Sequence, residues 1–460
     1  MTQILKPGQV VRTESTGMTC EVEHFLGGGG QGEVYQASLR GGSQPTGNAG
    51  WPPRDGTPVA LKWYFAHYCH IDPGLRQRLE TAIKSGPPSD RFLWPIDLTS
   101  ASDVPQFGYI MALREPRFKG MVDLLKRRID PTFRALATAG FEVAHSYLHL
   151  HAKGLCYCDI SLGNIFFDPA NGEVCICDND NVDIDGNAPA IGGTMRFMAP
   201  EIVRGEALPS TPTDLFSLAV LLFYMLMIHH PLEGSKEAAI HALDLPAMTK
   251  LYGTEPVFLF DPYDESNRPV PGRHDNALAF WPIYPKFLRD LFTRAFTDGI
   301  RDPQHGRVRE SEWRAAMVRL RDSIIYCASC GAENFYDADA QQAAGGRPGS
   351  CWSCGNALQL PPRIRVGSPV RKNIVMLNHD TQLFPHHIDD QQMYDFSQPV
   401  AAVSRHPTDS RIWGLRNLSN MKWAATATDG TVKDVEPGRS LTLATGITIH
   451  FGTAEGEIRA

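Results

Sequence analysis

A formal net charge of −7 over 460 residues, 21% of them charged, argues against a nucleic-acid surface, which normally shows a basic face. The length corresponds to roughly three domains. The most apolar run, Leu215–Ile228, is interrupted by Ser217 and falls short of the ~20 residues that span a bilayer, so a buried helix is expected there and no membrane span. The amino terminus shows no basic start followed by an apolar core, so no secretory leader is expected. Ten cysteines in such a chain suit a reducing, cytoplasmic setting and metal ligation rather than a disulfide framework.

Residues 1–18 are polar and unpatterned and read as an amino-terminal tail or a first strand. Phe25-Leu26 then leads into Gly27-Gly28-Gly29-Gly30-Gln31-Gly32-Glu33-Val34-Tyr35, which predicts a strand, a glycine turn and a second strand. Backbone N–H groups in such a hairpin can approach a phosphate closely; a flexible hairpin without a ligand is the plainer reading. No helical pattern follows Gly32, as a dinucleotide fold would need. Gly41–Gly56 is rich in Gly, Pro and Ser and predicts a surface loop. Val59-Ala60-Leu61-Lys62-Trp63-Tyr64 predicts a strand with one lysine among apolar neighbours, and Leu75–Lys84 a helix carrying Glu80. Tyr109–Leu113 predicts another strand. Phe133–His151 is helical in period and stops before Gly154, a C-cap candidate. His149 and His151, two apart, do not share a helix face, which favours helix-end histidines over metal ligands.

The stretch Leu150–Asp180 organises the rest. An apolar run delivers Asp159 into a loop, and Asn164 leaves that loop at the next strand. The turn Asp168-Pro169-Ala170-Asn171-Gly172 returns a β-rich run ending on Asp178, as Asn-Gly between apolar runs predicts. Three oxygen-bearing side chains at one end of a small sheet suit Mg²⁺ and a hydroxyl nucleophile, the needs of phosphoryl transfer.

In order and spacing these residues resemble the protein kinase family. The resemblance covers about residues 20–322 and implies a bilobal α+β kinase fold. It implies ATP held by Leu26, Gly27, Gly29, Gly32, Val34, Ala60, Lys62 and Met111, with Glu80 pairing with Lys62. It further implies Mg²⁺ on Asn164 and Asp178, with Asp159 receiving the substrate hydroxyl proton. Gly193-Thr194 and Met198-Ala199-Pro200-Glu201 resemble the end of an activation segment, Asp214 opens the central helix, and Arg307 stands where the family pairs an arginine with Glu201. That segment implies a protein substrate, phosphorylated on Ser or Thr.

Several positions depart from the family pattern. Tyr157-Cys158-Asp159 stands for His-Arg-Asp, which removes the cation that would order a phosphorylated loop. Ser161 replaces a lysine. Asp178-Asn179-Asp180 replaces Asp-Phe-Gly, keeping the metal-binding acid and losing the packing ring. A nucleotide-binding pseudokinase scaffold is therefore the alternative to an active kinase. Cys156/Cys158 and Cys175/Cys177 form two C-x-C pairs; alternation puts each pair on one strand face, as small buried apolar residues or as a switch.

Trp313–Ile325 predicts a last kinase-like helix. Cys327, Cys330, Cys351 and Cys354 form two C-x2-C knuckles, each followed by a glycine, Gly331 and Gly355. This spacing predicts a four-thiolate structural Zn²⁺ ribbon, with two redox motifs as the rival. After Pro361-Pro362 the chain is β-rich, with strands expected at Asn373–Leu377, Val400–Val403, Trp413–Asn417, Ser440–Ala444 and Ile447–Phe451, an all-β sandwich. Trp413–Ser419, Asp429-Gly430, Val435–Gly438 and Gly446–Gly452 resemble the second half of a forkhead-associated domain. The first half departs, leaving Ser397, Arg405 and Asn420 as phosphopeptide candidates beside a plain partner-binding sandwich. The expected division is a tail at 1–18, a kinase domain at 19–322, a ribbon at 323–360 and a sandwich at 361–460. That order resembles bacterial kinases associated with tellurite-resistance loci. The resemblance implies a von Willebrand A-domain protein and a metal-dependent protein phosphatase as partners.

Overall fold

Six strands close the amino-terminal part of the chain into a barrel. The computed structural model describes residues 3–41, 55–185, 193–368, 371–406, 408–409 and 411–460. Strands β1 (Val10–Thr13), β2 (Thr19–Gly28), β3 (Gly32–Arg40), β4 (Pro58–Tyr64), β5 (Asp97–Ser100) and β6 (Gly108–Ala112) close in the order β1-β2-β3-β4-β6-β5. The stretch read as a tail, 1–18, instead supplies β1, and Leu5, Val11 and Met18 are buried in the barrel core. Its apolar residues are too widely spaced to show an alternation, but Val11 pairs with Cys20 on β2 and the Leu5 N–H donates to the Tyr35 hydroxyl on β3. The expected loop Gly41–Gly56 lies largely outside the described residues.

The period of two along β4 decides where its lysine goes. Val59, Leu61 and Trp63 enter the barrel core, while Ala60 and Tyr64 join a second cluster with Leu75 and Leu79 of the helix Leu75–Ser85. Lys62 therefore projects from the second face, between two buried neighbours. Gly32 is required by close approach: a Cβ there would lie 2.2 Å from the carbonyl oxygen of Trp63.

Below the barrel, the helix Thr211–Met227 is buried at every position from Thr213 to Met227, so the apolar run is a core helix. Its amino terminus carries a capping box in which Thr213 Oγ1 accepts from the Ser210 N–H at 2.9 Å, satisfying a helix-end donor. Ile165–Phe167 and Val174–Ile176 pair antiparallel across the Asp168–Gly172 turn. All of these lie in the first of two compact units, Met1–Pro131, Thr138–Leu278 and Phe292–Arg314.

The second unit comprises Thr132–Ala137, Ala279–Leu291 and Ala315–Ala460. The helix expected over Trp313–Ile325 runs Glu310–Asp322, and Ile324–Tyr326 is a strand paired with Glu333–Phe335. Two β-branched residues at the end of the helical pattern go to the strand, where branched side chains pack best. Residues 363–459 form a six-stranded and a four-stranded sheet. Their inner faces share one apolar cluster that includes Ile364, Leu383, Leu415, Trp423 and Ile458. Two sheets closed over one core are the layered solution that alternating strands require. A smaller cluster joins Cys327, Cys351 and Leu358 to Met376 of the sandwich. Among the described residues no helix is long and apolar enough to cross a membrane.

Candidate active site and cysteine cluster

The loop after Leu155–Cys156 is held by its backbone. Asp214 Oδ2 accepts from the Tyr157 N–H at 2.5 Å, and Oδ1 from the Cys158 N–H at 3.1 Å. Cys158 sits at φ 70°, a left-handed conformation costing an L residue roughly 1–2 kcal/mol, and Asp214 fixes it there. The Tyr157 hydroxyl donates to the carbonyl of Cys177, tying the loop to the residue before Asp178. His151 donates from both ring nitrogens, to Asp214 at 3.1 Å and to Glu310. It is thus a buried helix-end residue that braces Asp214.

This loop presents Asp159. Its Oδ1 accepts from the Thr194 N–H at 3.1 Å, and Asn164 Nδ2 donates to the Asp159 carbonyl at 2.8 Å. Burial raises the Asp159 carboxyl above its ordinary range, opposed by the Thr194 and Asn164 hydrogen bonds. Asp178 Oδ1 lies 3.3 Å from Lys62 Nζ, and its side chain is 43% exposed while the lysine's is 4%. Asp178 is thus open to solvent while Lys62 is shielded from it. The donor end of Asn164 is used on Asp159, which leaves its amide oxygen and Asp178 as the hard-oxygen set suited to Mg²⁺.

The expected pair between Lys62 and Glu80 does not form. Glu80 lies on the outer side of its helix and accepts from Arg76, four residues back, at 3.2 Å with both side chains 45% exposed. The lysine's second carboxylate is instead Asp180, at 2.8 Å and 1% exposed. Burial pulls the Lys62 ammonium down, but Asp180 and Asp178 together push it up to about 12. Tyr64 donates to Asp180 Oδ2 at 2.5 Å. Gln31, at the tip of the glycine hairpin, accepts from Lys62 Nζ at 2.7 Å. It also donates to Asn181 at 2.9 Å and Tyr68 at 3.0 Å.

Asn179 is fully buried where the packing ring was missing, and its amide donates to the carbonyls of Leu93 and Ile176. Arg307 pairs with Glu201 at 2.7 Å in a buried contact. Leu26 is exposed, Val34 half-buried, and Ala60 and Met111 are buried opposite one another on β4 and β6. Gly27 lies on β2, Gly29 begins the turn and Gly32 opens β3. Cys156 and Cys158 sulfurs lie 3.4 Å apart. The contact with Cys156 and burial hold the Cys158 thiol well above its usual range, and Cys175 does the same for Cys177, which keeps the poorly nucleophilic thiol form.

In the second unit the ligand atoms of Cys327, Cys330, Cys351 and Cys354 all lie within 4.8 Å of one another. The Cys327–Cys354 and Cys330–Cys351 sulfurs are 3.6 and 3.7 Å apart. A tetrahedron with Zn–S of about 2.3 Å has edges of ~3.8 Å, which these two separations match, so the four thiols are a group that could hold a zinc ion. Gly331 and Gly355 take φ 77° and 73°, and their N–H groups return to the carbonyls of Cys327 and Cys351. Asn334 donates to Cys351 at 3.5 Å, a contact to the thiol that sequence spacing did not show. Ser397 takes an N–H bond to Asp395, and Arg405 lies over the Trp413 ring at 4.7 Å.

Comparison with known proteins agrees with this geometry. The family model described as Protein kinase domain matches residues 115–278. Relatives include Protein kinase C delta type of Mus musculus, 36% identical over 92 residues, 19% of this chain and 13% of that protein. The putative protein kinase C delta type homolog of Drosophila melanogaster is 35% identical over 102 residues, 21% of this chain and 15% of that protein. Ribosomal protein S6 kinase alpha-2 of Homo sapiens is 35% identical over 112 residues, 23% of this chain and 15% of that protein. The matched stretches thus span a small part of each relative's length. The stretch matched by the protein kinase family model, residues 115–278, contains the loop that presents Asp159, Asn164 and Asp178.

Proposed function

We propose that the chain is an ATP-dependent protein kinase that transfers the γ-phosphoryl group to Ser or Thr of a protein substrate. The observation that carries this reading is the approach of Lys62 to Asp178 across the cleft, with Asp159 held beside them by Thr194. In this reading Lys62 grips the α- and β-phosphates, and Asn164 and Asp178 hold Mg²⁺, which would neutralise charge on the transferring group. Asp159 orients the substrate hydroxyl and accepts its proton. Its raised basicity, caused by burial, suits that task. The Thr194 contact supports Ser/Thr as acceptors, because it fixes Asp159 from the segment that a substrate peptide would line.

The four cysteines would hold a structural Zn²⁺ and order the ribbon against the sandwich. We further propose a forkhead-associated-like role for the sandwich, and a cytoplasmic bacterial kinase of the tellurite-resistance type. A von Willebrand A-domain protein and a metal-dependent phosphatase would be its partners. The order of the domains supports this finer reading.

The test is phosphate transfer from γ-labelled ATP with Mg²⁺ to a generic protein acceptor. Wild type should label Ser or Thr, and Asp159→Ala should lower kcat by about 10²–10⁴-fold. Equal silence of both proteins with ATP still bound would establish the scaffold instead. The crowding of Lys62 by three acceptors is the observation that favours that alternative.

A further inference from the structure

We propose that Asp180 is the positioning residue for Lys62, taking the part that a helical glutamate plays elsewhere; this rests on the cleft being a nucleotide site. Three observations converge. Lys62 Nζ and Asp180 Oδ2 are 2.8 Å apart with both side chains shielded, 4% and 1% exposed. Glu80, the one acid of the adjacent helix Leu75–Ser85, points outward to Arg76. Tyr64 and Lys62, on the same face of β4, both engage the same oxygen of Asp180, so its position is set from one strand.

The two acids of Asp178-Asn179-Asp180 divide the work by exposure. Asp178 opens to the cleft, where a cation and phosphates would lie. Asp180 is turned inward, and its other oxygen is buried without a hydrogen-bond donor among the described residues. The one engaged oxygen of this carboxylate is already taken up by the Lys62 ammonium and the Tyr64 hydroxyl. It is therefore a poor metal ligand and a good anchor. Asn179, held by the carbonyls of Leu93 and Ile176, fixes the turn between the two acids.

The helix Leu75–Ser85 has its own tether to the same segment. Arg78 pairs with Asp72 and lies 3.4 Å from Asp183. The lysine's orientation then follows the segment 178–183 directly and does not require the helix to swing a glutamate inward.

The experiment uses the full chain and three readouts: kcat and KM for ATP, KM for the protein acceptor, and labelling of Lys62 by an acyl-phosphate ATP probe read by mass spectrometry. Asp180→Asn should raise the KM for ATP at least tenfold and slow Lys62 labelling by a similar factor, leaving the acceptor KM within twofold. Asp180→Glu should recover part of the loss, which a merely structural role would not allow. Glu80→Gln should leave every readout within twofold. Should Asp180→Asn fail to fold, Tyr64→Phe removes one donor from the anchor and should raise the KM for ATP severalfold. An Asp180→Asn protein with wild-type ATP affinity and Lys62 labelling would overturn the proposal, as would a Glu80→Gln protein as impaired as Asp180→Asn. If wild type transfers no phosphate but is labelled at Lys62, the kinase reading fails while the labelling ratio still decides the role of Asp180.

Discussion

The cysteine cluster and the lysine cleft both gather polar groups that are costly to bury, yet they do so by opposite routes. In the cluster each knuckle is a local turn whose geometry a glycine permits, and the two knuckles meet across 21 to 27 positions. In the cleft Lys62 meets Asp178 from 116 positions away, and which acid it meets depends on packing. Local chemistry makes a site that sequence spacing specifies; long-range pairing leaves the choice among several acids to the fold.

The largest effect that would break this comparison lies at the cysteines. Structural zinc contributes about 10–16 kcal/mol in small ribbons, so the ribbon should depend on it outright. Cys351→Ser, or strong chelation, should remove one equivalent of zinc and abolish hydrogen-exchange protection over residues 323–360. A metal-free native protein with that segment still protected would show that Ile325, Leu358 and Met376 suffice, and the distinction between the two regions would fall.

What the sequence revealed follows the same division. The hairpin across Asp168–Gly172, the lysine strand, the core helix and the cysteine knuckles are legible because each depends on a local period or turn. The closeness of Asn164 to Asp159 was legible because the loop that joins them is short. Glu80 was misassigned because a helical acid near a strand lysine is ambiguous until the helix face is known. Leu75 and Leu79 are buried, and they turn Glu80 toward Arg76. Asp180 gave a signal in retrospect: a second acid beside the metal motif needs a cation, and Lys62 was the one buried lysine available among the described residues. Gln31 gave a fainter one, as the single amide in a glycine turn. The first strand was obscured because Leu5, Val11 and Met18 contact the barrel singly.

His151 offers an intermediate test of long-range pairing. Burial alone would lower its imidazole, but hydrogen bonds to Asp214 and Glu310 raise it from 6.5 to about 9. A group raised in the folded state contributes fully below its unfolded pKa, so this contribution is complete below pH ~6.5. It declines through pH 6.5–9 and is absent above, with a ceiling of about 3 kcal/mol. The thermal midpoint of wild type should therefore fall by several degrees more than that of His151→Gln between pH 6 and pH 9.5. Parallel pH profiles for the two proteins would mean that Asp214 holds the loop at Tyr157 and Cys158 without a charged partner.

Gln31 carries the smallest expected effect and the finest discrimination. The ammonium of Lys62 has three donors, and Gln31, Asp178 and Asp180 take one each. A nucleotide phosphate must displace one of them. The two carboxylates are charged, whereas the amide of Gln31 is neutral and sits on a glycine turn, so it is the cheapest to displace. A hydrogen bond to a charged group is worth about 1.5–3 kcal/mol, and water would replace part of it once the side chain is gone. Gln31→Ala should therefore lower the KM for ATP about 3–10-fold, some 0.7–1.4 kcal/mol, with kcat little changed. Gln31→Glu should act in the opposite direction, because a third carboxylate both holds the ammonium and repels the phosphates. A higher KM in Gln31→Ala would mean that the amide travels with the phosphate as a ligand. The hairpin would then resemble the cysteine knuckles, a local turn that presents its groups ready to bind.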